Sequence, residues 1–284
     1  MGYVSDSEVS ARYERLAGLA RNVAGQTCDA RKVFLLEVRL RPVMDLLEVG
    51  SIDELLDRVG PDVPSNLESY LADALVDGET WFFRERAALE AVAKRIACRL
   101  EQGAGPVSVW CAGGSSGQEA YSLAILLNEL QLGETLAQVD ILTSDIGFRA
   151  TKRAQDGIYS HFEIQKGLSA RRMITHFVQH GERDWQVSPT LRKQVEVCQH
   201  NLLDGPIASA AFDIVICRNV LAGMEEPHRS SALDSLKAGM KAGALLVLET
   251  EHDLASDRGF LPIETLGPGF YRSSQPGGPA HASH

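Results

Sequence analysis

The feature that most constrains this chain is a glycine-rich turn between a short apolar strand and an apolar helix. The strand is predicted over residues 107–112, and apolar residues at helical spacing begin at Ala120. The turn, Gly113-Gly-Ser-Ser-Gly117, carries almost no side chains, so a ligand can approach backbone N–H groups at the positive end of a helix. Such a turn is typical of the first strand–helix unit in a nucleotide-binding α/β sheet.

Several functions are compatible with this pentapeptide alone, including a tight turn with no ligand. Its spacing lacks the full G-x-G-x-x-G pattern of a dinucleotide site. It matches G-x-S-x-G, the nucleophile elbow of hydrolases, with Ser115 as nucleophile. The turn also fits the glycine-rich loop of methyltransferases that use S-adenosyl-L-methionine (SAM). The choice depends on the rest of the chain.

Composition excludes several broad classes. A net charge of −10 argues against a general nucleic-acid binder, which usually has a basic face. No apolar run approaches the roughly 18 residues of a membrane span, and the N-terminus lacks a signal-peptide pattern, so we expect a cytoplasmic protein without membrane insertion. The five cysteines are odd in number and widely spaced, which indicates reduced thiols. No paired metal-ligand motif occurs, so no metal site is expected.

Residues 1–76 are predicted to form a small domain of successive helices. Pro42 should kink or end the second helix, and Ser51 with Glu54 predicts a capped start for the third. Lys32 and Arg39 are seven residues apart, so they share one face of the second helix. That basic face is either simply solvated or a docking surface for an acidic partner.

Residues 77–106 are predicted to be a linker followed by a helix. The linker contains three consecutive aromatic residues beside an arginine, Trp81-Phe-Phe-Arg84. One interpretation is that the rings wedge two domains together. The other is that Thr80 and Arg84, four residues apart, reach into a site that the rings shield from water.

From residue 107 to about residue 272, strands and helices alternate, which predicts a mostly parallel sheet. The alternation lapses over about residues 157–193, and we interpret this stretch as an inserted subdomain. Residues 273–284 are rich in glycine, proline and histidine and are expected to be a disordered tail.

In such a sheet the ligand binds beyond the carboxyl ends of the strands, where Gly113, Asp145, Asn201 and Arg218 are expected. A carboxylate at the position of Asp145 can accept both hydroxyls of a ribose, or it can cap the following helix. Glu119 lies in the first turn of the helix after the glycine turn. An anionic dinucleotide phosphate should avoid that carboxylate, whereas the ammonium and sulfonium of SAM would be attracted. Glu119 therefore favours SAM over a nicotinamide dinucleotide.

The hydrolase interpretation is weaker. A nucleophile elbow normally follows a central strand with several strands before it, whereas only predicted helices precede Ser115 here. Five further segments carry a more specific pattern. They are Thr80-Trp-Phe-Phe-Arg-Glu85, Trp110-Cys-Ala-Gly-Gly-Ser-Ser-Gly-Gln-Glu-Ala-Tyr-Ser-Leu-Ala124, Thr143-Ser-Asp-Ile146 with Asp156-Gly-Ile-Tyr-Ser160, Asn201-Leu-Leu-Asp204, and Phe212-Asp-Ile-Val-Ile-Cys-Arg-Asn-Val220.

In order and spacing, these segments resemble the CheR-type chemotaxis receptor glutamate O-methyltransferases, and the resemblance covers nearly the whole chain. It implies an α/β protein with an N-terminal all-helical receptor-docking domain. A Rossmann-like SAM-methyltransferase domain with a small inserted β-subdomain would follow. The family transfers a methyl group from SAM to glutamate side chains of receptor signalling helices and releases S-adenosyl-L-homocysteine.

The resemblance also implies roles for individual residues that hold the cofactor. Thr80 and Arg84 would lie over it, with Arg84 near its carboxylate end. Glu119 would bind the methionyl ammonium and Asp145 the ribose hydroxyls, next to the glycine turn at Gly113. These assignments agree with those made from residue chemistry.

At the two ends of the cofactor, the resemblance places two further pairs. Asn201 and Leu202 would contact the adenine, and Arg218 with Asn219 would line the methyl-transfer pocket.

Three departures from the family pattern bear on activity. Gly78 replaces a usual asparagine, and Gly223 stands where the family has a tyrosine beside the transferred methyl group. A usual Ser-Glu pair is replaced at about residues 251–253. A catalytically weakened SAM-binding signalling module is therefore an alternative function. The insert is short around residues 179–181, so we expect no tethering of a receptor's C-terminal peptide.

Overall fold

The amphipathic segments of the N-terminal region fold into helices around a shared apolar core. The computed structural model describes residues 6–27, 33–60, 63–207, 211–249 and 258–274. Leucine, isoleucine and valine side chains on one face of each helix are buried together in this core. The helices are α1 (Asp6–Ala24), α2 (Val33–Leu46), α3 (Ile52–Val59) and α4 (Ser65–Leu75).

Two local predictions for this region have different outcomes. Ser51 does cap α3, because its hydroxyl accepts a hydrogen bond from the backbone N–H of Glu54 at 3.2 Å. Pro42, however, lies inside α2 and does not end it, since the helix continues to Leu46. The predicted basic face can be described only in part, because Lys32 lies outside the described residues.

The second region is built on a mixed sheet. In chain order its strands are β1 (Val107–Ala112), β2 (Val139–Asp145), β6 (Val195–Gln199), β7 (Phe212–Ile216), β8 (Met240–Val247), β9 (Phe260–Pro262) and β10 (Phe270–Ser273). Among the described residues, the order across the sheet is β6-β2-β1-β7-β8-β10-β9. All pairs are parallel except those that β10 makes with β8 and β9. The predicted α/β class is confirmed.

The strand order places the ligand site. β1 is central and pairs with β2 on one side and β7 on the other. The strands that follow β1 are added first on the β2 side and later on the β7 side, so the strand order reverses between β1 and β7. Open α/β sheets bind ligands at such a switch point, beyond the carboxyl ends of the strands. The connecting helices are α5 (Arg86–Glu101), α6 (Gln118–Glu129), α7 (Phe148–Asp156), α10 (Pro189–Arg192) and α11 (His228–Ala238).

A small antiparallel sheet interrupts the alternation where an insert was expected. Its strands are β3 (Ile158–Ser160), β4 (Phe177–His180) and β5 (Asp184–Val187), in the order β3-β5-β4. Helices α8 (His161–Gln165) and α9 (Ala170–His176) both lie in the connection from β3 to β4. Its inner face joins the apolar core under the large sheet through Tyr159, Phe177 and Val187, so the insert is packed against the main domain.

The end of the chain differs from expectation at one residue. Ser273 is the last residue of β10 and is buried, whereas it was predicted to begin a disordered tail. Residues 275–284 of that tail lie outside the described residues. Among the residues described, no helix is both long and apolar enough to cross a membrane.

Candidate functional site

The glycine turn forms one wall of a large cavity. Gly113, Ser115 and Gly117 have φ values of +68°, +49° and +88°, which the tight reversal from β1 into α6 requires. A Cβ atom on Gly113 would lie 2.5 Å from Cγ2 of Val220, so no side chain fits there. The backbone from Gly113 to Ser116 therefore lines the cavity without side-chain cover.

Asp145 lies at the carboxyl end of β2 and also lines the cavity. Its carboxylate accepts hydrogen bonds from the backbone N–H groups of Ser115 at 2.8 Å and Gly147 at 2.9 Å. It thus holds the glycine turn and the turn before α7 in place, and does not cap the first turn of α7. Burial raises the pKa of Asp145, these N–H groups oppose the increase, and the nearby carboxylate of Asp73 adds to it.

Glu119 and Arg218 form a buried ion pair at the start of α6. Nε and Nη2 of Arg218 both contact Oε2 of Glu119, at 2.7 and 2.6 Å. Nη2 also donates to the carbonyl oxygen of Arg84 at 2.9 Å, and Nη1 donates to Glu85 at 3.3 Å. The Arg218 side chain is only 2% exposed. Each of its three nitrogens thus donates a hydrogen bond within the chain, while Oε1 of Glu119 accepts none of these bonds.

Asn219 is held in an unusual backbone conformation beside this pair. Its φ is +61°, and its N–H donates to Oε2 of Glu249 at 3.1 Å. The other carboxylate oxygen of Glu249 accepts from the N–H of Ala222 at 2.9 Å. Glu249 is buried and follows β8. Glu249 was not among the residues predicted at the site, although a carboxylate two residues after an apolar strand was a signal for this edge of the sheet.

The segment from Gly78 to Arg84 covers one side of the cavity. Thr80 and Arg84 both line it, and Nη1 of Arg84 donates to the carbonyl oxygen of Glu79 at 2.9 Å. The Arg84 guanidinium lies 4.4 Å from the centre of the Trp81 ring.

Phe82 and Phe83 anchor the covering segment to the α/β domain. Phe82 is completely buried and makes edge-to-face contacts with Tyr159 and Phe177 of the insert. The N–H of Phe83 donates to Oγ of Ser122 on α6 at 2.9 Å. The interpretation of the rings as a wedge between two domains is therefore wrong for this pair, because both belong to the core beneath the large sheet.

At another part of the wall, Asn201 connects the cavity to the helical region. Its Nδ2 donates to the carbonyl oxygen of Val23 in α1 at 2.9 Å, and its Oδ1 accepts from the N–H of Leu203 at 3.1 Å. Both Asn201 and Leu202 line the cavity, and Leu202 is buried. The residues predicted near an adenine are thus together, but the amide nitrogen of Asn201 is engaged by the protein.

Gly78 and Gly223, the two glycines that differ from the family pattern, both lie close to neighbouring polar groups. The carbonyl oxygen of Gly78 accepts a hydrogen bond from Oγ of Ser115 at 2.8 Å. A Cβ on Gly223 would lie 2.1 Å from Oε1 of Gln26, so the space there belongs to Gln26. Tyr121 does not fill it, because its hydroxyl donates to the carbonyl oxygen of Ala154 at 2.7 Å.

His228 does not fill this space either, because it lies against Gly25: a Cβ atom on Gly25 would be 2.7 Å from the Cβ atom of His228.

Ser115 shares the strained strand-to-helix turn of a nucleophile elbow, but its hydroxyl has no general base beside it among the residues that the structure describes. It donates to a main-chain carbonyl and not to a histidine ring. The backbone N–H of Ser115 donates a hydrogen bond to the carboxylate of Asp145. Nothing found here supports a serine hydrolase.

The residues around the cavity fit SAM. The cavity volume is about 660 Å³, within the roughly 300–1,000 Å³ usual for small-molecule sites. Oε1 of Glu119, which accepts no bond from Arg218, is free to accept from an ammonium, and Asp145 can accept ribose hydroxyls. The bare glycine turn lets a ligand lie against the backbone between these two carboxylates. The fold and the site together define a Rossmann-like SAM-dependent methyltransferase.

Comparison with known proteins identifies the family. Residues 78–263 match the model described as CheR methyltransferase, SAM binding domain. The chain belongs to the CheR methyltransferase family, and its cofactor is SAM, with S-adenosyl-L-homocysteine as the product. The family predicted from the five sequence segments is confirmed.

Several curated proteins are similar along most of their length. Chemotaxis protein methyltransferase 1 of Pseudomonas aeruginosa is 30% identical over 247 residues, which are 85% of this chain and 90% of that protein. Chemotaxis protein methyltransferase 1 of Vibrio cholerae is 27% identical over 88% of this chain and 90% of its own length. A solved TehB-like SAM-dependent methyltransferase from Corynebacterium glutamicum has a TM-score of 0.38 and 14% identity, covering 67% of this chain and 100% of its own, which is too weak to add to the assignment.

Proposed function

We propose that this methyltransferase forms methyl esters on glutamate side chains of a chemotaxis receptor or a related signalling protein. The relatives at 27–30% identity are named chemotaxis protein methyltransferases. The observation that carries the proposal is the buried Arg218 beside Asn219 at one end of the cavity. Arg218 offsets the charge of Glu119, so an anionic acceptor can approach the same end without net repulsion.

The roles of the cofactor-binding residues are part of the same proposal. Oε1 of Glu119 would bind the methionyl ammonium, with Arg84 near the methionyl carboxylate and Thr80 over the cofactor. Asp145 would accept the ribose hydroxyls beside the turn at Gly113. All five residues line one cavity, which supports the assignment.

Asn201 and Leu202 would contact the adenine. Nδ2 of Asn201 donates one of its two N–H groups to Val23, so the second N–H, with the backbone and apolar surface of this pair, remains for the adenine. The polar end formed by Arg218 and Asn219 would face the methyl group.

Methyl transfer to a carboxylate needs no proton transfer by the enzyme. When bound, the cofactor supplies an electrophilic methyl group on a sulfonium. A glutamate side chain is already ionised near neutral pH, so no general base is required. The carboxylate oxygen forms the new bond to the methyl carbon, the carbon–sulfur bond breaks, and the charges of acceptor and sulfonium cancel. The residues of this chain have to align the acceptor and exclude water.

We further propose that the helical region, about residues 1–76, docks the receptor through its basic second helix. Lys32 lies outside the described residues. Arg39 lines the cavity, and its guanidinium lies 3.8 Å from Asp77 and 3.4 Å from the carbonyl oxygen of Val76. Reversing the charge of Arg39 would therefore disturb the cavity as well as a docking surface. Arg41, which is 68% exposed, is two residues further along α2 and lies on the opposite side of the helix from Arg39, so it serves as the control.

The deciding experiment uses radiolabelled SAM with membranes from the protein's own host. Glutamate methyl esters should form on a receptor-sized protein and release labelled methanol in mild alkali. Alkali-stable label would contradict ester formation. Tight SAM binding with no transfer to any protein would favour the signalling module that binds SAM without turnover. Lys32→Glu should weaken receptor association and its salt dependence while leaving SAM affinity unchanged, whereas Arg41→Glu should change neither.

A further inference from the structure

The end of α1 forms part of the cavity wall near the predicted methyl-transfer end. After α1, the N–H of Thr27 donates to the carbonyl oxygen of Gly223 at 2.8 Å. The N–H of Glu225 in turn donates to the carbonyl oxygen of Gly25 at 3.4 Å, so a short two-way contact joins the helical region to the loop after Asn219. Gln26, between these residues, lines the cavity.

Gln26 and Gly223 share one volume. The Oε1 atom of Gln26 lies where a Cβ on Gly223 would be, with 2.1 Å between the two positions. Gly223 does not have a positive φ, so its backbone does not require glycine. The absence of a side chain at residue 223 therefore has a spatial cause, because the side chain that fills this place comes from residue 26.

The orientation of the Gln26 amide is fixed by its partner. Its nitrogen lies 3.0 Å from the carbonyl oxygen of Val220 and must be the donor, since a carbonyl cannot donate. A primary amide nitrogen carries two N–H groups, and this contact uses one of them. The second N–H remains for a ligand in the cavity, which the exposed residue Asn219 also lines.

Arg218 cannot take over this task. Each of its three nitrogens donates a hydrogen bond, to Glu119, Glu85 or the carbonyl oxygen of Arg84, and its side chain is 2% exposed. It contributes positive charge to this end of the cavity but has little capacity to grip a carboxylate directly. An acceptor carboxylate needs donors from another source, and Gln26 supplies one that does not titrate.

We propose that Gln26 binds the acceptor carboxylate at the methyl-transfer end and so determines which side chain is methylated. The inference rests on the proposed glutamate acceptor. It gives the helical region a direct part in the transfer site, in addition to any docking of the receptor.

The test compares Gln26→Ala, Gly223→Ala and the double variant. Gln26→Ala should lower kcat/KM for the acceptor on the order of tenfold, the usual effect of losing a hydrogen bond to a charged group, with unchanged affinity for S-adenosyl-L-homocysteine. Gly223→Ala should give a similar loss, because its Cβ displaces the Gln26 amide. The double variant should be no worse than either single variant. If the losses of kcat/KM in the two single variants added up in the double variant, Gln26 and Gly223 would not share one volume and the proposal would be wrong.

Thr27→Val is the matched control, because Thr27 contacts the same loop but is exposed and is not among the residues lining the cavity. Its kcat/KM should stay within about twofold of the wild type, since peripheral surface changes have small effects. Unfolding curves of all variants should remain alike. A fall in stability of Gln26→Ala that accounts for its lost activity would mean a structural role and would overturn the proposal.

A second measurement separates this inference from the proposed function. Receptor-helix peptides with glutamate or glutamine at the acceptor position are titrated onto the enzyme with S-adenosyl-L-homocysteine. The wild type should prefer the glutamate peptide, and Gln26→Ala should lose that preference. If the preference depends on Gln26 but no methyl transfer occurs, the proposed function fails and the inference stands. If the wild type shows no preference, or Gln26→Ala keeps it, the inference is wrong.

Discussion

Nε and Nη2 of Arg218 converge on a single oxygen of Glu119, at distances of 2.7 and 2.6 Å. Two residues that the sequence placed in separate roles therefore form one buried unit. The geometry makes Arg218 a structural residue as well as a candidate for catalysis, so loss of activity in its variants has two possible causes. Stability measurements can separate them.

We expect Arg218→Ala to lower the free energy of unfolding by about 3–5 kcal/mol, because it removes the buried partner of Glu119, whose side chain is only 13% exposed. Chemical denaturation measures this directly. Arg84→Ala is the matched control, since Arg84 lines the same cavity but is more exposed. It should lose cofactor affinity with a much smaller loss of stability. Equal losses of stability in the two variants would show that the Arg218–Glu119 pair contributes no more to the free energy of unfolding than the more exposed Arg84 does.

Cofactor affinity should decrease as the pH falls through the raised pKa of Asp145. The carboxylate must be ionised to accept two ribose hydroxyls, and burial makes it take up a proton at a higher pH than an ordinary aspartate. Calorimetry with S-adenosyl-L-homocysteine should show this dependence. Asp145→Asn should bind about tenfold or more weakly near neutral pH, through loss of a charge-assisted hydrogen bond. The affinity of this variant should change little with pH. If its pH profile ran parallel to that of the wild type, the assignment of Asp145 to the ribose would be wrong.

Asp73 should tune that pH dependence from the helical region. Its carboxylate on α4 accepts from the N–H groups of Arg149 at 2.7 Å and Ala150 at 3.3 Å, at the start of α7. It also raises the pKa of Asp145. Asp73→Asn should therefore shift the pH midpoint of cofactor binding downward. Asp140→Asn, which removes an exposed charge at the other end of β2, should not shift it.

Phe82→Ala should lower the free energy of unfolding by about 3–5 kcal/mol, as expected for a buried phenylalanine. The change also removes the anchor of the segment that carries Thr80 and Arg84, so cofactor affinity should fall as well. Phe162→Ala, at a position 77% exposed, is the control and should stay within about 0.5 kcal/mol. Unchanged cofactor affinity in a folded Phe82→Ala protein would show that the cover does not depend on this ring.

The sequence predicted the sheet edge well because its signals are local. The glycine turn, the strand ending in Asp145 and the polar residues after later strands all follow from short patterns with known geometry. Periodicity also located the N-terminal helices, but it could not show that Pro42 would be accommodated inside α2. The antiparallel strands β9 and β10 are too short to give a clear periodic signal.

The parts that sequence could not predict depend on contacts between distant residues. Gln26 fills the space at Gly223 from 197 positions away, and no local pattern records that relationship. The same holds for Asp73 at the start of α7 and for Glu249 beneath the loop of Asn219. Each is an ordinary polar residue in sequence, and its role exists only once the chain has folded.

The anchoring of Phe82 also constrains how product leaves. Swinging the Thr80–Arg84 segment aside would expose a ring that is completely buried, whereas hydrogen bonds of Gln26, Thr27 and Asn201 join the end of α1 to the α/β domain. Exchange of spent cofactor should therefore proceed by moving the end of α1 away from the loop after Asn219. If the same region holds the receptor, each exchange loosens that hold, and the enzyme should modify about one glutamate per encounter and rely on repeated visits to complete a cluster.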